Sequence, residues 1–186
     1  MMMKFAVSRL SESARPTLAR HFLALPMRDR GLRFGVALAP TVIAAYVDQI
    51  DLDRDAVLGV HDSRNLLVGV AHVAVENEQA ELALSVLPMY RRRGIGSALF
   101  KRALGHARGR GLTKFFMHFL SGNAPIMRIA QKFGMDIVAE GRNADAHLNL
   151  RSTRMEPVEM MRDRALDAAP DGQSTSTVDM STMSTH

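Results

Sequence analysis

"YRRRGIGSALFKRA", residues 90–103, sets three consecutive arginines before Gly94-Ile95-Gly96-Ser97 and then passes into an apolar pattern. Ile95, Leu99, Phe100, Ala103, Leu104 and Ala107 recur at three- and four-residue intervals, the spacing of one buried helical face, and "GRG" at 109–111 closes the run. Just upstream, "AELALSVLP" (80–88) is a Leu/Ala/Val run ending in Pro88, which has no N–H to donate to a ladder and so suits a strand terminus. A strand, a tight glycine loop and a helix in that order leave backbone N–H groups at the helix start without intrahelical acceptors, where the helix dipole also favours negative charge. The stretch therefore reads as a loop that grips phosphate: Gly94 and Gly96 leave the backbone uncovered, and Arg91, Arg92 and Arg93 add long-range attraction. Two other glycine-rich phosphate loops fail on spacing. A P-loop needs a glycine, four residues and then Gly-Lys-Ser/Thr, and no such run occurs, while Leu99 occupies the place where a dinucleotide fingerprint needs a third glycine or alanine.

Outward from the loop, "AVLGVHD" (56–62) and "NLLVGVAHVAV" (65–75) precede "AELALSVLP" as short β-prone runs separated by turn residues, which predicts three strands joined as antiparallel hairpins. Downstream come a strand in "TKFFMHFL" (113–120), a helix in "APIMRIAQKFGM" (124–135), and a closing pair of strands in "DIVAE" (136–140) and "AHLNL" (146–150). The first fifty residues read mainly helical. A short strand in "KFAVSRL" (4–10) leads to a helix in 11–25 with Ser11 or Ser13 as N-cap, and a second helix occupies 39–52. "PMRDRGLRFG" (26–35), broken by Pro26, Gly31 and Gly35, is either a turn-rich connection or a short helix. Residues 1–156 are expected to form one domain, and the Ser/Thr-rich segment 157–186 a disordered tail.

Composition excludes several classes. With 47% hydrophobic and 23% charged residues the chain is that of an ordinary globular protein. The absence of cysteine removes disulfides, thiolate metal sites and a cysteine nucleophile. No apolar run reaches the roughly 18 residues of a membrane helix, and the N-terminus lacks a signal-peptide core. The expectation is a soluble cytoplasmic protein without metal or membrane partner. The net charge of +5 is regional: no Asp or Glu lies between Glu81 and Asp136, while ten Lys and Arg fall there. A nucleic-acid role for that basic stretch is disfavoured because aromatics make up only 5% of the chain and tryptophan is absent, leaving few stacking platforms.

Arg91-x-x-Gly94-x-Gly96 closely resembles the Gln/Arg-x-x-Gly-x-Gly/Ala signature of the GNAT superfamily of acyl-CoA-dependent N-acyltransferases, and it sits between the strand and helix which that family requires. "NAPIMRIAQKFGM" (123–135) resembles the family's second landmark, an Asn opening a helix that ends in Lys-x-Gly-Phe/Met. The resemblance covers about residues 55–150 and is nearest in feel to bacterial protein-lysine acyltransferase-like members. It implies an α/β (α+β) GNAT fold: a central mixed, mostly antiparallel sheet of about seven strands flanked by helices. It also implies acetyl-CoA as co-substrate, direct attack by an amine acceptor in a ternary complex, and, by family habit, a homodimer.

Carried onto this chain, the resemblance places the CoA pyrophosphate on backbone N–H groups of Arg92, Arg93, Gly94, Ile95, Gly96 and Ser97, with Arg91 at the signature position. The pantetheine arm would pair with the strand around Leu84 to Val86, and the Val86 N–H would polarise the thioester carbonyl. Glu81 is the candidate base, against the alternative of a solvated strand-end carboxylate; His118 and His72 are further candidates that also read as structural histidines. Asn123 is either a helix cap or a CoA contact. One departure stands out: the Tyr that protonates the departing thiolate in many members is Ala130 here, leaving Ser121, Tyr90 or water for that task. A non-catalytic CoA sensor of the same fold is the alternative that this departure raises.

Overall fold

The computed structural model describes residues 5–151, which form one compact unit. The tail expected beyond residue 157 lies outside the described residues. Seven strands form one sheet: β1 (Ser8–Arg9), β2 (Ala56–His61), β3 (Leu67–Glu76), β4 (Gln79–Val86), β5 (Lys114–Leu120), β6 (Asp136–Glu140) and β7 (Asn143–Asn149), in the spatial order β1-β2-β3-β4-β5-β7-β6. Among the described strands only β4 and β5 pair in parallel, as expected of two strands joined through a helix. The helices are α1 (Arg15–Ala24), α2 (Met27–Phe34), α3 (Pro40–Asp48), α4 (Ile95–Gly109) and α5 (Ala124–Lys132).

The two faces of the sheet carry different helices. Val86 pairs with Gly69, and a Cβ on Gly69 would lie 2.6 Å from Ile95 Cγ2, so α4 rests directly on the backbone of β3 on that face. All six residues of the α4 stripe are buried there, and Phe100 stacks on Phe133 at the end of α5, 4.2 Å between ring centroids. Ser85 pairs with Val70 on the opposite face, where its hydroxyl meets His21 of α1. Helices α1, α2 and α3 thus cover the side from which Glu81, Ala83 and Ser85 project.

Three local expectations shift. "PMRDRGLRFG" is the helix α2: Pro26 precedes its first turn, and Gly35 ends it in the left-handed region at φ 80°. Neither Ser11 nor Ser13 caps α1, because their hydroxyls bond each other at 3.0 Å and a 3-10 turn, Glu12–Ala14, intervenes. The closing strand starts at Asn143, three residues before "AHLNL", since Gly141 at φ 58° makes the turn from β6 immediately upstream.

What positions the site is the parting of β4 and β5. They pair only from Gln79↔Lys114 to Glu81↔Phe116; β4 then runs on to Val86 and β5 to Leu120 without further pairing. The ends of both strands therefore open a cleft in the middle of the sheet, flanked by the start of α4 and the start of α5.

Candidate active site

The glycine loop ends in Gly94, the N-cap of α4, at φ 90°; Arg92 is also left-handed, at φ 59°. The first bond of α4 runs from the Ala98 N–H to the Gly94 carbonyl at 2.9 Å, so Ile95, Gly96 and Ser97 have no intrahelical acceptor for their N–H groups. A concave array of such donors is favourable to an anion. It opens onto a cavity of about 570 Å³ whose wall includes Arg92, Gly94, Ile95, Gly96 and Ser97 on one side and Leu84, Ser85 and Val86 on the other.

The arginines divide. Arg91 is not a free charge: its guanidinium donates to the Val86 carbonyl at 2.9 Å and to Asp29 of α2 at 2.8 Å. Arg92 and Arg93 are exposed, and Arg93 lies 5.4 Å from the Tyr90 ring centroid. The two glycines divide as well. Gly94 supplies a backbone conformation, with nothing within 4 Å of an added Cβ, whereas a Cβ on Gly96 would meet Ile129 Cδ1 at 2.9 Å. Gly96 is small so that α5 can approach α4. Asn123 caps α5 by accepting the Ile126 N–H at 3.5 Å and also lines the cavity, so both of its sequence readings keep a basis.

The edge of β4 has a definite polarity. Leu87 N–H donates to Val68 O at 2.9 Å, which makes the odd-numbered residues of β4 the ones that bond to β3. The N–H groups of Leu84 and Val86 consequently face the cleft, beyond the last pair with β5.

A second cavity, of about 640 Å³, opens on the α2 side and is lined by Glu81, His118, Glu140 and Asp145 among others. Leu32 and Arg33 of α2 line both cavities. Asp145 accepts from His118 Nδ1. Glu81 sits about 10 Å along the strand from Leu84 and about 16 Å from Val86 at the usual strand rise, too far for its carboxylate to touch an atom held at those N–H groups. His61 and His72 line neither cavity.

His72 belongs instead to a buried chain that fixes Arg33. Arg33 donates to Tyr46 Oη at 2.9 Å, Tyr46 donates to His72 Nδ1 at 2.8 Å, and His72 Nε2 donates to Asp55 at 3.1 Å. Burial is the largest influence on Asp55 and would raise its carboxyl pKa, but hydrogen bonds from Arg54, the Val75 N–H and His72 hold it below the ordinary value. Burial pushes His72 down, so it stays neutral and directional. The Arg33 guanidinium also lies over Phe34, 4.7 Å from the ring centroid.

Of the groups considered for protonating a thiolate, Tyr90 donates to Asp62 at 2.6 Å and Ser121 to the Gly141 carbonyl at 3.1 Å. Ala130 is fully buried in the core and lines neither cavity. Sequence reading missed Asp29, Arg33, Asp145 and the pair His21–Ser85. The signals were a serine inside an apolar strand and a histidine inside an apolar helix turn, neither of which names its partner.

Among the described residues no group of three or more His, Asp or Glu side chains is placed to hold a metal ion, and no helix is long and apolar enough to cross a membrane. The model of the acetyltransferase (GNAT) family matches residues 28–135. No curated protein matches the chain significantly in sequence. Among solved structures, the chain is similar to the GNAT domain of S. lividans PAT, at 16% identity and TM-score 0.66 over 77% of this chain and 89% of that one. It is similar to the ribosomal-protein-S18-alanine N-acetyltransferase of Escherichia coli, at 17% identity and TM-score 0.60 over 83% and 98%. It is also similar to the spermidine N-acetyltransferase of Vibrio cholerae in complex with CoA and spermine, at 15% identity and TM-score 0.63 over 79% and 96%. At these identities the likenesses bear on the fold alone.

Proposed function

Because the family model matches more than half of its length, the chain belongs to the acetyltransferase (GNAT) family, and we propose that it moves an acetyl group from acetyl-CoA to an amine in a ternary complex. The observation that carries this is the unfilled helix start at α4, turned by left-handed Gly94 onto a cavity that also reaches the unpaired edge of β4. Acetyl-CoA, when bound, supplies a thioester open to attack by a neutral amine. The backbone from Arg92 to Ser97 holds the pyrophosphate, with Arg92 and Arg93 steering. Leu84 and Val86 pair with the pantetheine arm, and the Val86 N–H polarises the thioester carbonyl. Asn123 closes the wall at the start of α5.

The acceptor enters from the α2 side, through the cavity lined by Glu81 and His118. Given the separation along β4, Glu81 removes the ammonium proton through water, and water protonates the departing thiolate, since Tyr90 and Ser121 are committed elsewhere.

The test is release of free thiol from acetyl-CoA in the presence of an amine panel that includes a polyamine, a peptide with an N-terminal alanine and a lysine peptide. Turnover of at least one amine is expected, with Glu81→Gln lowering kcat about 10²-fold or more. Binding of acetyl-CoA without thiol release from any of them would replace the enzyme by a CoA sensor.

A further inference from the structure

Ser85 lies within β4, is 8% exposed, and lines the donor cavity between Leu84 and Val86. Its backbone is taken up by β3, and its side chain points toward α1. There His21, 2% exposed, places Nε2 2.8 Å from Ser85 Oγ and Nδ1 2.9 Å from the Leu67 carbonyl oxygen. A carbonyl only accepts, so Nδ1 carries the ring hydrogen, and in the neutral ring Nε2 is a bare lone pair. Burial, the largest influence, pushes the pKa of His21 down to about 4, so the ring is neutral at working pH. Ser85 must then donate its proton to His21. What the oxygen has left is lone pairs: it has nothing to give a departing thiolate and an acceptor to offer an N–H.

An attacking amine needs such an acceptor. Its lone pair has to face the carbonyl carbon, so its N–H groups must be held by something else nearby. Ser85 is one residue from Val86 and projects from the face that carries α1 and α2, whereas the backbone edge facing β5 serves the donor. Glu81, four residues along the strand, shares that face but is too distant to make the same contact.

We propose that Ser85 Oγ is the hydrogen-bond acceptor that orients the attacking amine, with His21 as the positioning residue that fixes its polarity. The assignment rests on the acetyltransferase reading above. The experiment measures kinetics with an amine that the wild type acetylates, alongside the acetyl-CoA-induced rise in melting temperature, for Ser85→Ala, Ser85→Thr and His21→Leu. Ser85→Ala should lower kcat/KM for the amine about ten- to a hundredfold while leaving the acetyl-CoA-induced rise intact. Ser85→Thr, which keeps the hydroxyl and the bond to His21, should fold and stay within a few-fold of wild type. His21→Leu should show the loss seen in Ser85→Ala, because the freed hydroxyl no longer has a fixed polarity. Unchanged amine kinetics in Ser85→Ala would overturn the assignment, as would an equal loss of acetyl-CoA binding. Should Ser85→Ala not fold, Ser85→Thr and His21→Leu decide: equal amine kinetics in both would overturn it. A wild type that binds no acetyl-CoA and acetylates no amine would instead remove the acetyltransferase reading and the assignment with it.

Discussion

Gly94 and Gly96 stand two residues apart in one loop, yet they are glycine for different reasons, and substitution separates them. At Gly94 the backbone sits at φ 90°, so Gly94→Val forces a β-branched residue into a region that costs about 1–3 kcal/mol, or shifts the loop and breaks up the donor array. Gly94→Val should abolish acetyl-CoA binding measured by calorimetry. At Gly96 an added Cβ meets only the flexible end of Ile129, so Gly96→Ala should bind within a few-fold of wild type. His21 carries a second residue-scale prediction. Its folded pKa, about 4, is depressed below its ordinary 6.5, so the unfolded chain takes up the proton first as pH falls. The stability it contributes is therefore complete above pH 6.5 and declines progressively between 6.5 and about 4; the shift corresponds to roughly 3 kcal/mol. Urea unfolding at pH 7.5 and 5 should show the loss, and His21→Leu should reduce the difference; His72, also depressed, retains a part of it. The glycine loop was legible in the sequence because its chemistry is local. The pairs His21–Ser85 and Arg91–Asp29 span 64 and 62 residues, and no pattern within a window names such partners.

Helix α2 shows how the same residues can punctuate an element or deny it. Pro26, Gly31 and Gly35 left "PMRDRGLRFG" undecided between turn and helix, yet Pro26 lies just outside the first turn and Gly35 just past the last, the places where each is favourable. Only Gly31 is interior. A Cβ there would find nothing nearer than Ala37 N at 3.9 Å, an ordinary contact. Gly31→Ala should therefore raise stability by up to about 1 kcal/mol, through the lower backbone entropy of the unfolded chain. The denaturation midpoint should rise with the slope unchanged. Acetyl-CoA binding should not weaken, since the anchors of α2, Asp29 on Arg91 and Arg33 on Tyr46, are untouched. Those anchors explain why a short, half-buried helix with no buried residue of its own keeps its place between the two cavities. Tertiary contacts, which periodicity does not report, hold it there.

Across the whole described unit, the strands, the α4 stripe and the hairpin pairing β2-β3-β4 follow from alternation and spacing, while the order β4-β5-β7-β6 does not. Placing β5 beside β4 in parallel and β7 inside β6 is a matter of long-range pairing, and the family resemblance implied only a mixed, mostly antiparallel sheet. That topology makes the cleft: a parallel pair that parts after three residues leaves two strand ends and two helix starts facing one space. A ligand spanning it touches β4, the glycine loop and the more distant α5 together, an arrangement that is lost on unfolding. Acetyl-CoA should therefore stabilise the native state only, by about 2.7 kcal/mol at a hundredfold excess over Kd. For a unit of this size each kcal/mol is worth about 2–4 °C, so the melting temperature should rise by roughly 5–10 °C and saturate with ligand. CoA should give most of this rise, because the pyrophosphate and pantetheine contacts do not involve the acetyl group. Inorganic phosphate at the same concentration should give almost none. If phosphate matched CoA, the loop would be a general anion site and the β4 edge would play no part in binding. Absence of a rise with CoA at millimolar concentration would remove the cleft as the donor site.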